Sequence, residues 1–365
     1  MSGDRDGAPW YRVAGLGVVF ACALVWPGRG EPHQSTEARQ RAAQIDIRAP
    51  GAFDGADRSP RLARGVHYRV HATVLFPVIS LPLVHRDDVG FASAAVQEYS
   101  TESERGIRTY ELFSASFPER ARGLNRTGFI REVVGLGEND VRWTAHFGAL
   151  SSNPETSRAE VALDSDESVQ SYTVMDGFTS RDQASSTETY LELRGSWSSA
   201  GLFYRNLMPV WKATAPRSER QSRLRTEVTH MAPLGFLGIL QRSLGMAARD
   251  LRRRSAPRQT RYPFAHKGQV MYLDLSGHSL DAKRQRRFED ENLIKADAVV
   301  HRFDYRILDR ERALVQKFRI WTELPADAGP RLAVPVVPLG FEFKAKSFLE
   351  LEAIRSDSPV ESTRR

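Results

Sequence analysis

At 365 residues, 41% of them apolar and with 18 Phe, 10 Tyr and 6 Trp, the chain is large enough to bury a core in one β-rich domain or two ordinary ones, which excludes a disordered polymer. The net charge of +7, with only seven Lys among 52 basic residues, permits contact with anionic lipid or nucleic acid but demands neither. A single cysteine, Cys22, excludes an intramolecular disulfide and any cysteine-based metal cluster.

The most apolar stretch is RVAGLGVVFACALVWPG, residues 12–28. Arg5 and Arg12 precede a short apolar run, and Ala21-Cys22-Ala23 has the small-x-small form cut by a signal peptidase, which puts cleavage after Ala23. Val19-Phe20-Ala21-Cys22 also resembles a bacterial lipobox, with Cys22 as the lipidated residue, although Phe20 fits that pattern poorly. A retained anchor is the third reading. Its 14 apolar residues make roughly 21 Å of helix against a hydrocarbon core of ~30 Å. A buried core helix is the fourth, opposed by Gly15 and Gly17. Residues 1–26 are therefore expected to be a signal peptide or N-terminal anchor. Residues 27–65, rich in Pro, Gly, Ala and charge, read as a flexible linker.

From residue 66 the pattern changes to period-2 alternation. Val66, Tyr68, Val70, Ala72, Val74 and Phe76 alternate with His67, Arg69, His71 and Thr73. Similar runs occur in IRTYELFSASF, VRWTAHFGA and TETYLELRGSW. VVHRFDYRIL and ALVQKFRIWTEL, joined by the polar residues 309–312, form the clearest hairpin, and GFEFKAKSFLELEAI closes the domain near residue 355. About ten strands with one wet face each predict antiparallel sheet. Residues 356–365 read as a disordered tail.

One insertion, about 218–254, breaks the alternation. Ser218 and Gln221 suggest a capping box for a first helix, which Pro233 ends. A second helix, 234–254, carries Leu237, Leu240, Leu244, Ala248 and Leu251 on one stripe, widened by Phe236, Ile239 and Met246. The predicted fold is thus α+β and β-rich. A large curved antiparallel sheet, half-barrel-like, packs on one amphipathic helical segment within a single domain, 66–355. In architecture alone this resembles half-barrel lipoprotein carriers and related envelope proteins, a likeness of layout and not of motif.

Candidate chemistry is sparse. Gly277-His278-Ser279 lies between a strand-like and a helix-like run, as a nucleophile elbow does, but Asp281 stands where the tight turn needs a small residue. Ser279 is therefore expected in a polar turn ahead of a solvated helix. His85, Asp87 and Asp88 in HRDDVGF suit either acid–base chemistry or a capped loop; no second cluster with ligand spacing joins them, so no metal is expected. The Arg-rich runs at 242–261 and 283–287 lie outside any nucleic-acid motif, and FEDE at once offsets the second. LFPVISLPLV, 75–84, reads as a buried edge or bulge, or as a lip that contacts lipid or another envelope protein.

The functional expectation is an exported protein without a cofactor, in the periplasm or tethered on the outer side of the inner membrane. A groove between sheet and helix, lined by Phe236, Leu237, Leu240, Leu244 and Met246, would take a lipid or other amphiphile. The alternatives are an exported hydrolase using Ser279 or the His85/Asp87/Asp88 group, and an assembly scaffold. The N-terminus is the expected membrane contact, and nucleic acid is not an expected partner.

Overall fold

The computed structural model describes residues 62–76, 82–99, 106–116, 120, 127–137, 141–151, 169–180, 184–194, 207, 234–266, 269–295, 297–323, 336–346 and 348–356. The N-terminal segment with Cys22, most of the expected linker, the first expected helix with its Ser218 cap and the tail beyond Ser356 lie outside these residues.

Among the described residues, thirteen strands form one antiparallel sheet. The first seven are β1 Leu62–Leu75, β2 Pro82–Tyr99, β3 Gly106–Ser116, β4 Thr127–Leu136, β5 Val141–Ser151, β6 Val169–Ser180 and β7 Ala184–Arg194. Helix α1, Phe236–Arg252, follows. Then come β8 Arg261–His266, β9 Gln269–Leu280, helix α2 Ala282–Asp290, β10 Val300–Leu308, β11 Leu314–Glu323, β12 Gly340–Lys346 and β13 Leu349–Ser356. No described helix is long and apolar enough to cross a membrane.

The spatial order β7-β6-β5-β4-β3-β2-β1-β13-β12-β11-β10-β9-β8 is two meanders joined where the first strand pairs with the last. The stretch holding α1 connects one end of the sheet, β7, to the other, β8. This topology forces curvature. Leu237 and Gly238 bond to Glu132 on β4, while the adjacent Phe236 ring lies 5.7 Å from Phe264 on β8. Those strands are nine steps apart, about 43 Å across a flat sheet at ~4.8 Å per strand. One helical turn spans far less, so the sheet curls around α1 as a half-barrel.

The inner face carries the main core. Tyr68, Val70 and Ala72 of β1, Leu273 and Leu275 of β9, Phe303 and Tyr305 of β10 and Leu351 of β13 surround α1. Two smaller clusters lie on the outer face. Phe113, Phe129, Phe147, Tyr172 and Leu207 form one; Phe288 of α2 packs on Val300, Trp321, Leu339 and Ile354 in the other.

Several boundaries differ from the sequence reading. β1 begins at Leu62, so the last four residues assigned to the linker are strand. The closing segment is two strands, β12 and β13, with Phe348 in the turn between them. On β5 the face read as Val141, Trp143, Ala145 and Phe147 is split. A register shift between Gly135 and Leu136 on β4 puts Val141 in the inner core and Phe147 in an outer cluster. Gly135 is required there, because a Cβ would stand 2.4 Å from the Trp143 ring.

Candidate functional site

The predicted groove residues are placed first by their burial. Phe236, Leu237, Leu240 and Leu244 all sit in the inner core cluster, Leu244 with no exposed surface. Met246 is half-buried and accepts a contact from Arg249 Nη2 at 3.1 Å. The apolar stripe of α1 is thus covered by the protein's own sheet.

What the sequence reading missed is how α1 is held. Its N-terminus has no side-chain cap of its own. Instead the carboxylate of Glu132, from the inner face of β4, accepts from Leu237 N at 2.7 Å and Gly238 N at 2.8 Å. His146 of β5 is its cross-strand partner, and a Cβ on Gly235 would stand 2.4–2.5 Å from both side chains. Burial pushes the Glu132 carboxyl up to about 7, partly offset by the two backbone N–H groups. Burial also pushes the His146 imidazole down to about 4. The signal was present in GFIREVVGLG, where a charged residue occupies the same face as Ile130 and Val134.

Ser279 is not in a turn. It lies in β9, paired with Arg302, and α2 follows within three residues. Strand alternation puts its side chain on the opposite face from His278, which pairs with the core residue Phe303. His278 Nε2 and His301 Nδ1 instead meet each other at 3.0 Å. Burial lowers both histidines, His301 to about 4 with a further contribution from His278. No hydrogen bond joins Ser279 to either among the described residues, so the nucleophile–base contact of a hydrolase is missing from this geometry.

HRDDVGF is not a loop either. It is part of β2, and the register with β1 shifts between Val70 and Ala72, so Asp87, Asp88 and Val89 bulge opposite His71. Asp88 takes a left-handed conformation there, φ 49°. The bulge turns Asp87 over β1. Its Oδ1 lies 2.8 Å from His71 Nδ1 and 3.1 Å from His85 Nε2. The two imidazoles stack with centroids 6.1 Å apart, and Thr73 Oγ1 holds His85 Nδ1 at 2.9 Å. Burial would raise the Asp87 carboxyl, but the hydrogen bonds and charges of His85 and His71 outweigh it and lower it. A His–His–Asp group therefore exists where the sequence offered His85, Asp87 and Asp88. His71, the missing member, was read only as a polar-face strand residue.

Some cations of the basic runs are held by carboxylates. Arg284 contacts Glu352 and Glu342 and stacks over Trp321 at 4.6 Å, while Arg287 reaches Glu291 at 2.8 Å and Glu352 at 3.2 Å. Arg306 and Arg261 converge on buried Asp274.

Finally, the exposed apolar side chains are not scattered. Strand directions put Phe76, Leu83, Val84, Leu314 and Phe348 at one end of the sheet, each 40–59% exposed. Val299 and Leu280 are exposed at the opposite end. β1 and β2 are interior strands, so the 75–84 segment is not an edge; the pairing does bulge there, with a register shift between Val74 and Leu75, and of its described residues Leu75 is buried while Phe76, Leu83 and Val84 are exposed.

No family model matches the chain, and no curated protein matches it. Among solved structures it is similar to a β-barrel-like protein of a domain of unknown function, DUF1849, from Brucella abortus. The two share 6% identity at a TM-score of 0.36, over 82% of this chain and 98% of that one. A likeness of that size identifies neither family nor activity.

Proposed function

We propose that this β-rich chain is an exported, non-enzymatic protein of the cell envelope that contacts an anionic lipid surface through one rim of its sheet. The observation that carries this reading is the concentration of Phe76, Leu83, Val84, Leu314 and Phe348 at a single end. Monomeric surfaces rarely gather large apolar residues without a partner. Arg86, Arg120, Arg310, Arg312 and Lys344 are exposed around the same end, interspersed with Asp87, Asp88, Asp309, Glu311 and Glu350, and these cations offer partners to phosphate headgroups. The export-like segment 12–28 supports the compartment, and because sheet covers the α1 stripe, the exposed rim supports the reading better than the predicted groove does.

The test reads the rim directly. In a Cys22→Ser background, Leu83→Cys or Val299→Cys carries an environment-sensitive fluorophore on the full chain. With vesicles containing anionic phospholipid, the label at 83 is expected to shift to the blue and the label at 299 at the opposite end is not. No shift at 83, or equal shifts at both positions, refutes the reading. The mature N-terminus, determined by intact mass, tests export: a start at Leu24 or an acylated Cys22 supports it, and an intact Met1 argues against both processing routes.

A further inference from the structure

The geometry points to a surface site for one divalent first-row transition ion of the zinc class, held by His71 Nδ1, His85 Nε2 and the Asp87 carboxylate, with its remaining position open to solvent.

The donor set is assembled by pairing between strands and not by spacing along the chain. Thr73 pairs with His85 and Ala72 with Arg86, which brings His71 of β1 beside the β2 bulge. The three donor atoms lie within 4.8 Å of one another. Both ring nitrogens aim at the same carboxylate oxygen, at 2.8 and 3.1 Å. In a tetrahedral site with bonds of ~2.0–2.1 Å, neighbouring donors stand about 3.3 Å apart, so the two contacts to Asp87 would lengthen by a few tenths of an ångström and the two ring nitrogens, within 4.8 Å, would settle to that spacing. Two imidazoles and one carboxylate match the ligand preferences of zinc, nickel or copper, and not the all-oxygen shells of Mg2+ and Ca2+.

The surroundings fit as well. Thr73 Oγ1 bonds His85 Nδ1, which orients the ring with Nε2 toward the site, the arrangement metal-binding histidines generally have. The Asp88 backbone N–H points at His71 Nδ1 from 3.4 Å. A bound ion would take the place of the proton that His71 Nδ1 shares with the Asp87 carboxylate at 2.8 Å. On the same bulge Asp88 Oδ1 is buried without a hydrogen-bond partner. His71 is buried while His85 and Asp87 are exposed, 50% and 69% by side chain, so an ion reaches the site without opening the fold. Once bound it would clip β1 to β2 just below the apolar rim.

The experiment uses the untagged full chain, stripped with chelator and titrated with Co2+ alone, followed by displacement with Zn2+. One saturable site per chain with the visible absorption of tetrahedral cobalt, lost on adding Zn2+ and unaffected by Mg2+, is expected. His85→Ala and Asp87→Asn change exposed side chains, so the fold is retained. Each is expected to weaken Co2+ binding on the order of 100-fold, and Thr73→Ala by about tenfold. His301→Ala, at the other histidine pair, is expected to leave binding unchanged. Absence of saturable binding overturns the site, and so does a loss of less than tenfold in His85→Ala.

Discussion

The two faces of this one sheet do different work. The inner face is mainly apolar and covered by α1, with a few polar contacts set into it, such as Tyr305 to Ser243 at 3.1 Å and Glu132 to the start of α1. The outer face is broken into two small apolar clusters, separated by ion pairs such as Arg306–Asp274 and Arg284–Glu342 and by the His71/His85/Asp87 group. The contrast teaches where each kind of information lies. Apolar area on the inner face holds the fold together, and chemistry has to be sought on the outer face and at the rim.

A cut into the inner core carries the largest expected effect. Leu244 has no exposed surface and sits in the middle of the α1 stripe. Leu244→Ala is expected to destabilise the protein by about 3–4 kcal/mol in urea unfolding, the transfer cost of the lost methyl groups plus the cavity left behind. If an amphiphile occupied that position instead of the protein's own sheet, the loss would be smaller and would depend on added lipid.

Glu132 tests one of the charged intrusions into the inner face, the buried Arg108–Glu98 pair being another. Its carboxyl titrates near the ordinary 4.5 when unfolded but near 7 when folded. The folded chain therefore holds a proton that the unfolded chain releases. This contribution to stability is full below pH 4.5 and is lost as pH rises through 7. His146, lowered to about 4, acts in the opposite sense: its contribution is present above its ordinary 6.5 and is lost as pH falls through 4. The two slopes oppose one another between pH 4.5 and 6.5. Glu132→Gln removes the first alone. The gap in unfolding free energy between wild type and this variant is expected to be about 3 kcal/mol larger at pH 4.5 than at pH 8. A gap independent of pH would mean that the carboxyl is not the buried anchor of α1.

These residues also mark how far the sequence could be read. Alternating runs such as 66–76 and the 300–323 hairpin announced antiparallel sheet, because a half-buried strand must alternate. The α1 stripe announced a helix on a curved sheet for the same reason. What stayed hidden depends on register. Alternation does not show that a three-residue bulge in β2 faces His71, nor that a shift beside Gly135 sends Val141 and Phe147 to opposite faces. Remote caps are equally invisible, since Glu132 and Leu237 are 105 residues apart. The site was legible as residue types, His85, Asp87 and Asp88, and illegible as geometry, because its third donor sits on another strand.

The smallest expected effect is the most informative about the rim. Leu83 is 59% exposed at the start of β2, so replacing it removes little buried area. Leu83→Asp is expected to change the unfolding free energy by no more than about 0.5 kcal/mol, as for a surface position away from caps and core. The same substitution places a negative charge among Arg86, Arg120 and the apolar side chains of that end, and it is expected to abolish binding to anionic vesicles. The two readouts should therefore separate, with stability unchanged while vesicle binding disappears. A stability loss comparable to that of Leu244→Ala would make the rim an extension of the core, and the division between a structural inner face and a lipid-facing rim would fail with it.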